Sequence, residues 1–309
     1  MENELKLLSL CIPTNGIIEW VFPVLDSIYS SGDVSEEVFE VIVTDNGNNK
    51  LFESKMQDYM TNHNNLIYKR TNAKQFLNQI EAFNLATGQL IKFINHRMKL
   101  LPDSLKYLVQ FVKINQIEKP QVYFLNNSIK LKTQKMTFDK FDDFIRNLSF
   151  YSSWSGGIAI WKSDYQKLDS NIKYNELFPH TDLLFNSIEK NRKYIIDNSY
   201  LLKSLPEETS KKGNYNLFYA FAVEYMSILL NLVRDKKISL ESFLNIKRDT
   251  KNFIASQYLE FIILKKRSSY DLSNYKRSLN VYFNNNSIRM VALKVLILRI
   301  KNKIFTNGE

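Results

Sequence analysis

Apolar positions in the first hundred residues switch between a continuous and a helical pattern. Leu7–Ile12 is an unbroken apolar run ending at Pro13-Thr14-Asn15-Gly16, which predicts a buried strand and a loop. Trp20, Val21, Val24, Leu25 and Ile28 recur at helical spacing, with Pro23 in the first turns, until Ser30-Ser31-Gly32-Asp33 breaks the helix. Val38–Val43 predicts a second strand ending at Thr44-Asp45-Asn46-Gly47-Asn48-Asn49. Leu51–Met60 follows as a helix and Leu66-Ile67-Tyr68 as a third strand. Phe76, Leu77, Ile80, Phe83 and Leu85 belong to the next helix, which Gly88 closes. Leu90-Ile91-Lys92-Phe93-Ile94 then reads as a short buried strand, Asn95-His96-Arg97 as a polar cluster, and Pro102-Asp103-Ser104 as the cap of a new helix. Such alternation predicts an α/β fold: a mostly parallel sheet flanked by helices, with Asn15, Asp45 and Asn95 on loops at one carboxyl edge. Open α/β sheets hold their ligands at that edge.

Farther along, Val122-Tyr123-Phe124-Leu125 predicts another strand, and 128–145 a hairpin-like segment with a polar helix. The glycine pair in Trp154-Ser155-Gly156-Gly157 leads into the apolar strand Ile158–Trp161. Phe178-Pro179-His180-Thr181-Asp182 opens a helix expected to reach about Lys190; Ile195-Ile196 and Tyr200-Leu201-Leu202 suggest a last strand pair. After Gly213 the texture becomes helical, with patterns over about Leu217–Val233, Leu240–Lys266 and Asn286–Lys303. The natural division is an α/β domain over 1–210 and a basic helical region over 211–309, with the boundary near 205–215.

Charge sharpens that division. The net charge is +10, yet from Lys211 onward 18 Lys and Arg face 7 Asp and Glu, leaving the first 210 residues about neutral. A basic final third implies an acidic neighbour such as phospholipid, a phosphate-rich polymer or a partner protein. Nucleic acid is disfavoured, because no recognised binding module is present. Cys11 is the single cysteine, which excludes an internal disulfide and fits a small buried hydrophobe. The apolar run before Pro13 is too short for a signal segment, and no stretch is expected to reach bilayer length, which favours a cytoplasmic protein. Three His and one Cys make a zinc site improbable, and no Walker A sequence, GxSxG elbow or Gly-rich dinucleotide fingerprint occurs.

Four segments, in order, resemble family-2, GT-A-type (Rossmann-like) glycosyltransferases, nearest in flavour to the bacterial polysaccharide branch that includes abequosyltransferase-like enzymes. Leu8–Thr14 with Leu25-Asp26-Ser27-Ile28 resembles the opening strand and first helix, and Val41–Gly47 the second strand and its acid. Asn72, Asn78, Ala86 and Gly88 resemble the next helix, and the 88–105 stretch the strand that carries the Asp-x-Asp metal motif. The likeness covers about 7–105 well and reaches more loosely to about 190. It implies an inverting transferase that moves a sugar from a nucleotide-sugar donor to a glycan hydroxyl in capsule, O-antigen or related surface-polysaccharide synthesis. It also implies a polyprenyl-linked acceptor and peripheral contact with the inner membrane face.

The motif departs from the family where it matters. Asn95 and Arg97, seven and five residues before Pro102, stand where those enzymes carry carboxylates. Mg²⁺ or Mn²⁺ wants anionic oxygen ligands, so a divalent metal is disfavoured. A guanidinium can instead hydrogen-bond phosphate oxygens in two places and stay charged. Arg97, with His96 or Lys99 beside it, is therefore expected to stabilise the leaving pyrophosphate without metal. By the same resemblance Pro13, Thr14, Asn15, Asp45, Asn78, Asn95 and His96 line the nucleotide-sugar site, although Asn15-Gly16 replaces the usual Tyr-Asn. Asp182 stands near the family's acidic base, with His180 as its substitute, while Trp154, Gly156 and Gly157 form an acceptor platform for a sugar's apolar face.

Several assignments have a plainer alternative that the residues leave open. Asp45-Asn46-Gly47 suits an Asx turn, Thr181-Asp182 a helix start, and Trp161 the core. The segment Ile288–Phe305, with Arg289, Lys294, Arg299, Lys301 and Lys303, fits a membrane surface, helix packing or a homo-oligomer interface equally well. The missing acids also fit a catalytically silent relative that serves as a binding or scaffold subunit.

Overall fold

The structure, a computed structural model, describes residues 6–30, 32–129, 133–188, 192–206 and 215–306. The chain forms two compact units, one of residues 1–144 with 151–206, the other of 145–150 with 207–309. The expected boundary at 210 falls outside the described residues.

In the first unit the chain alternates as β1 (Leu8–Thr14), α1 (Ile18–Tyr29), β2 (Phe39–Asp45), α2 (Lys50–Met60), β3 (Leu66–Arg70), α3 (Asn78–Leu85) and β4 (Leu90–Phe93). It continues as β5 (Met98–Leu100), α4 (Ser104–Asn115), β6 (Gln121–Phe124), β7 (Lys135–Phe138), α5 (Phe141–Leu148), whose residues from Ile145 on are counted with the second unit, and β8 (Ala159–Trp161). The α6 turn (Lys162–Tyr165), α7 (Pro179–Asn186), β9 (Tyr194–Asp197) and β10 (Leu202–Ser204) follow. The central sheet has the order β3-β2-β1-β4-β8. Its first four strands are parallel and β8 runs antiparallel to β4. Leu8, Leu10, Ile12, Val41 and Val43 are fully buried, which explains their continuous apolar runs: a parallel strand hides both faces. Burying each such side chain contributes about 1.5–3 kcal/mol.

Two smaller sheets differ from the sequence expectations. Where a hairpin-like segment was expected over 128–145, the described residues hold one strand, β7, which pairs antiparallel with β9, and β6 pairs parallel with the same strand. β10 pairs with β5 rather than with β9. The strand β5, which carries no sequence signal of its own, is also anchored to α1, where the Leu100 N–H donates to Ser27 Oγ at 2.9 Å. Helix α4 begins at Ser104, but Asp103 makes no side-chain cap. Helix α7 ends at Asn186, and the expected end at Lys190 lies outside the described residues.

Gly88 does more than close a helix. A Cβ there would lie 2.8 Å from the Leu8 carbonyl carbon and from Ser9 N, so β1 passes directly against it. The buried Glu40 carboxylate accepts from Ser9 Oγ at 2.5 Å, Thr87 N at 2.6 Å and Gly88 N at 3.1 Å, locking the turn into β4.

The second unit is helical. A run from Leu217 to Arg234 comprises α8 (Leu217–Tyr219), a π turn (Ala220–Glu224) and α9 (Tyr225–Arg234). Then come α10 (Leu240–Tyr258), extended by a second π turn (Leu259–Ile263), α11 (Tyr275–Tyr282), unforeseen in the sequence, and α12 (Asn285–Thr306). Phe218, Ala222, Ile254, Ala255, Leu259, Leu279, Ile288 and Ala292 share its core. Ser149 and Phe150 belong here: Ser149 Oγ donates to Asp249 at 2.8 Å, and the Phe150 ring stacks on Phe253 at 5.1 Å. The expectation that no stretch reaches bilayer length is corrected. Leu217–Arg234 gives 18 helical residues of mean hydropathy 1.4. Its Phe218, Ala222, Met226, Leu229 and Leu232 are buried, as in a core helix.

Gly88→Ala should lower the stability of the protein by about 1–3 kcal/mol, because the strand backbone it meets has no room to retreat. Urea denaturation measures this; an unchanged midpoint would show that β1 yields.

Candidate functional site

The carboxyl ends of β1, β2 and β4 carry one connected set of polar side chains. Asn78, buried at the start of α3, donates its amide to the Thr14 carbonyl at 3.1 Å and to the Thr44 carbonyl at 2.8 Å. Its own carbonyl accepts from Thr71 Oγ1 at 2.8 Å. The residue thus joins the ends of β1 and β2 and fixes their spacing. Thr14 Oγ1 lies 2.8 Å from His96 Nδ1 and accepts from Gly16 N at 3.2 Å. Pro13 is partly buried within β1, whereas Asn15 is exposed at the start of the loop.

Asp45 ends β2 and is buried. Its Oδ1 accepts from Gly47 N at 2.7 Å and its Oδ2 from the Tyr68 hydroxyl at 3.1 Å. The Asx turn open from sequence is therefore formed, and the carboxylate is anchored at both oxygens. Burial raises its pKa above the ordinary value, while the bonds from Gly47 and Tyr68 and the charge of Arg70 pull it back.

Asn95, His96 and Arg97 link β4 to β5. Asn95 Oδ1 accepts from Arg97 N at 3.1 Å. The His96 ring meets Trp20 edge-on at 5.1 Å, and the Arg97 guanidinium lies over the same indole at 5.9 Å. Burial, with Arg97 adjoining, holds the His96 pKa down to about 4, so the imidazole is neutral at physiological pH.

A second group gathers where β8 starts beside the end of β4. Lys92, fully buried in β4, donates to the carbonyls of Gly156 at 2.6 Å, Phe93 at 2.9 Å and Ile158 at 3.4 Å. Its ammonium also lies 5.4 Å from the centre of the Phe124 ring. Desolvation lowers its pKa to about 7. This ties the Gly156–Ile158 turn to the strand that runs on into Asn95. Of the two glycines, Gly157 is occupied, since the Tyr123 ring packs where a Cβ would be; Gly156 faces open space. Trp154 is exposed, whereas Trp161 is buried with its indole N–H donating to the Pro120 carbonyl at 2.8 Å.

His180 and Asp182 lie in the first turn of α7. His180 is buried, with Nε2 at 2.8 Å from the Ser153 carbonyl and Nδ1 without a hydrogen-bond partner; burial brings its pKa down to about 4. The half-buried Asp182 accepts from Asn175 N at 2.5 Å, so it orders the loop before the helix. The structure thus joins Thr14, Asn78 and His96 through short contacts and sets Asp45 opposite Thr14 in the β1–β2 ladder. It joins Trp154, Gly156 and Gly157 in one turn beside Ser153, and holds His180 to that turn.

Sequence reasoning missed Trp20, Tyr68 and Lys92. Trp20 matched the helical core spacing and is indeed buried, but it also holds His96 and Arg97. Lys92 did leave a signal, as the one charge within an apolar strand.

A divalent ion does not fit at Asn95 and Arg97. The donors there are one neutral carbonyl, already bonded to Arg97 N, and a fixed cation. Among the described residues no group of three or more His, Cys, Asp or Glu could hold a metal ion.

No family model matches the sequence, and no curated protein matches it. The fold is nevertheless similar to that of solved glycosyltransferases. S. aureus TarS 1–349 in complex with UDP-GlcNAc aligns with a TM-score of 0.56 at 15% identity, over 89% of this chain and 80% of that one. A longer S. aureus TarS chain aligns at 0.52 and 14% identity over 83% of this chain, which spans only 43% of its length. The mannosyltransferase PcManGT from Pyrobaculum calidifontis, in complex with GDP-Man and Mn²⁺, aligns at 0.51 and 11% identity over 96% and 81%. The GT-A-like α/β architecture read from the sequence, with a helical C-terminal region, is thus the fold observed.

His180 gives a pH dependence with a defined sign. Its folded pKa of about 4 lies below the ordinary 6.5, so the unfolded chain binds more protons between these values. The stability from its neutral form is complete above pH 6.5 and lost as pH falls toward 4. His180→Gln should remove up to about one proton from the slope of stability against pH over that window. Urea titrations at several pH values measure it; an unchanged slope would mean that His180 takes up its proton as readily in the fold as in the unfolded chain.

Proposed function

We propose that the chain is a family-2-like, metal-independent inverting glycosyltransferase. In this reading it is a cytoplasmic enzyme that transfers a sugar from a nucleotide-sugar donor to a glycan hydroxyl in bacterial surface-polysaccharide synthesis. The observation that carries the proposal is Arg97 beside the Asn78-tied carboxyl edge, in a fold shared with nucleotide-sugar-bound transferases. The donor's nucleotide lies along Pro13–Asn15, Asp45 and Asn78, and its diphosphate faces Arg97 with Asn95 and His96 alongside. The acceptor lies over Trp154 and the Gly156 side of the glycine turn.

In the reaction the acceptor oxygen bonds to the anomeric carbon as the bond from that carbon to the diphosphate breaks. Arg97 balances the negative charge gathering on the departing phosphate, a task a fixed guanidinium performs without an ion. Asp182 takes the acceptor proton. His180 is the weaker base of the pair, because its Nε2 is engaged with Ser153 and burial opposes the imidazolium.

The second reading, a silent binding or scaffold subunit, draws on the same Asp45: both its oxygens already have partners. Calorimetry with UDP and GDP in EDTA separates the two, since binding heat is expected from an enzyme, and its absence with and without Mn²⁺ favours the scaffold.

Transfer should persist in EDTA. Arg97→Ala should lower turnover by about 10²–10³-fold, the cost of losing a charge-stabilising donor. Asp182→Asn should lower turnover by about 10²–10⁴-fold with nucleotide affinity nearly unchanged. Loss of transfer in EDTA with recovery in Mn²⁺ would refute the role of Arg97, and retained turnover in Asp182→Asn would dismiss the base.

A further inference from the structure

Helix α12 has two apolar faces, not one. The inner face places Ile288 and Ala292 in the helical core, with Val291, Val295 and Leu296 packed against it. Arg299, at the end of that face, pairs with Glu260. On the opposite side, Met290, Leu293, Ile297 and Ile300 are spaced by three, four and three residues, and so fall on one stripe. They are exposed by 60%, 42%, 53% and 51%. Arg289 borders one side of the stripe and Lys294 and Lys301 the other; all three are exposed. Opposed apolar faces cancel in any measure of amphipathicity, which is why no clean apolar face shows in the sequence.

We infer that the outer stripe of α12 docks on an anionic lipid bilayer surface, with Met290, Leu293, Ile297 and Ile300 among the acyl chains and Arg289, Lys294 and Lys301 at the headgroups. Charge selects this occupant over a second copy of the chain. The helix from Asn285 to Thr306 contains no Asp or Glu, so two such stripes would bring bases against bases. An anionic surface instead attracts each of them, by about fivefold in affinity per basic residue. The +11 balance of the residues beyond 210 has the same sign. The inference holds whether or not the α/β unit transfers sugar.

The test is sedimentation of the full chain with vesicles of phosphatidylglycerol and phosphatidylcholine at physiological salt, against vesicles of phosphatidylcholine alone. Binding is expected to the first and not to the second. The pair Leu293→Gln and Ile297→Gln should reduce the bound fraction at least fivefold. The pair Lys294→Gln and Lys301→Gln should weaken binding about 20-fold and lessen its salt dependence. Each substituted side chain is exposed, so circular dichroism should show the helices retained. No sedimentation of the unsubstituted chain, or equal sedimentation of the Leu293/Ile297 variant, would overturn the inference. A concentration-dependent dimer in sedimentation velocity that disappears in that variant would assign the stripe to a second copy instead.

Discussion

The edge on which the proposed chemistry stands depends on the side chain of one asparagine. A parallel sheet ends with carbonyls pointing past the last ladder bond, and each must find a donor. The Asn78 amide serves the ends of β1 and β2 together, while its carbonyl takes the hydroxyl of Thr71 just beyond β3. With those carbonyls satisfied, the Thr14 hydroxyl is left to position His96 from β4's continuation. Three consecutive segments of the sheet are thus coordinated by one side-chain amide, which offers two donors and an acceptor in one plane, and the fourth is joined through the Thr14 hydroxyl and His96.

The electrostatics of that edge run opposite to those of a metal-binding transferase site. Asp45 is withdrawn into the protein and anchored at both oxygens, and the positions after β4 offer an amide, a neutral imidazole and a guanidinium. Trp20 supports the last two, its indole giving an apolar floor that favours a cation over its face. Lys92 lies deeper, surrounded by carbonyls rather than carboxylates. Its burial favours loss of the proton and brings its pKa down to about 7.

How much of this was legible in the sequence follows from the length of the signal each element leaves. β1, β2 and α1 announce themselves through five or more core side chains in register, and the parallel sheet follows from their alternation. Apolar residues at 195–196 and 200–202 mark β9 and the start of β10, but β5 and β10 are three residues each and pair across about 100 residues, so no local pattern could reveal that partnership. The same holds for the place of β9 between β6 and β7. In the candidate site, Asp45 and the 95–97 cluster stood out because polar residues follow apolar runs, whereas Asn78 was marked by the family resemblance alone. Trp20 and Tyr68 did not, because an aromatic ring that both fills a core and touches a polar group looks from sequence like filler alone. The outer face of α12 was hidden for the opposite reason, since its apolar residues were counted together with those of the inner face.

The link between β4 and β5 is held at both ends. Phe93 N and Ile94 N bond to the Ile158 and Cys11 carbonyls, and Met98 N turns back to Asn95. Beyond it, β5 is pinned to β10 and to Ser27. A tether of fixed length between two moorings tolerates no insertion or deletion, because one residue more or fewer would drag β5 out of register. The chemistry of this segment can therefore be altered only by exchanging side chains in place, with the backbone path between the two moorings left as it is.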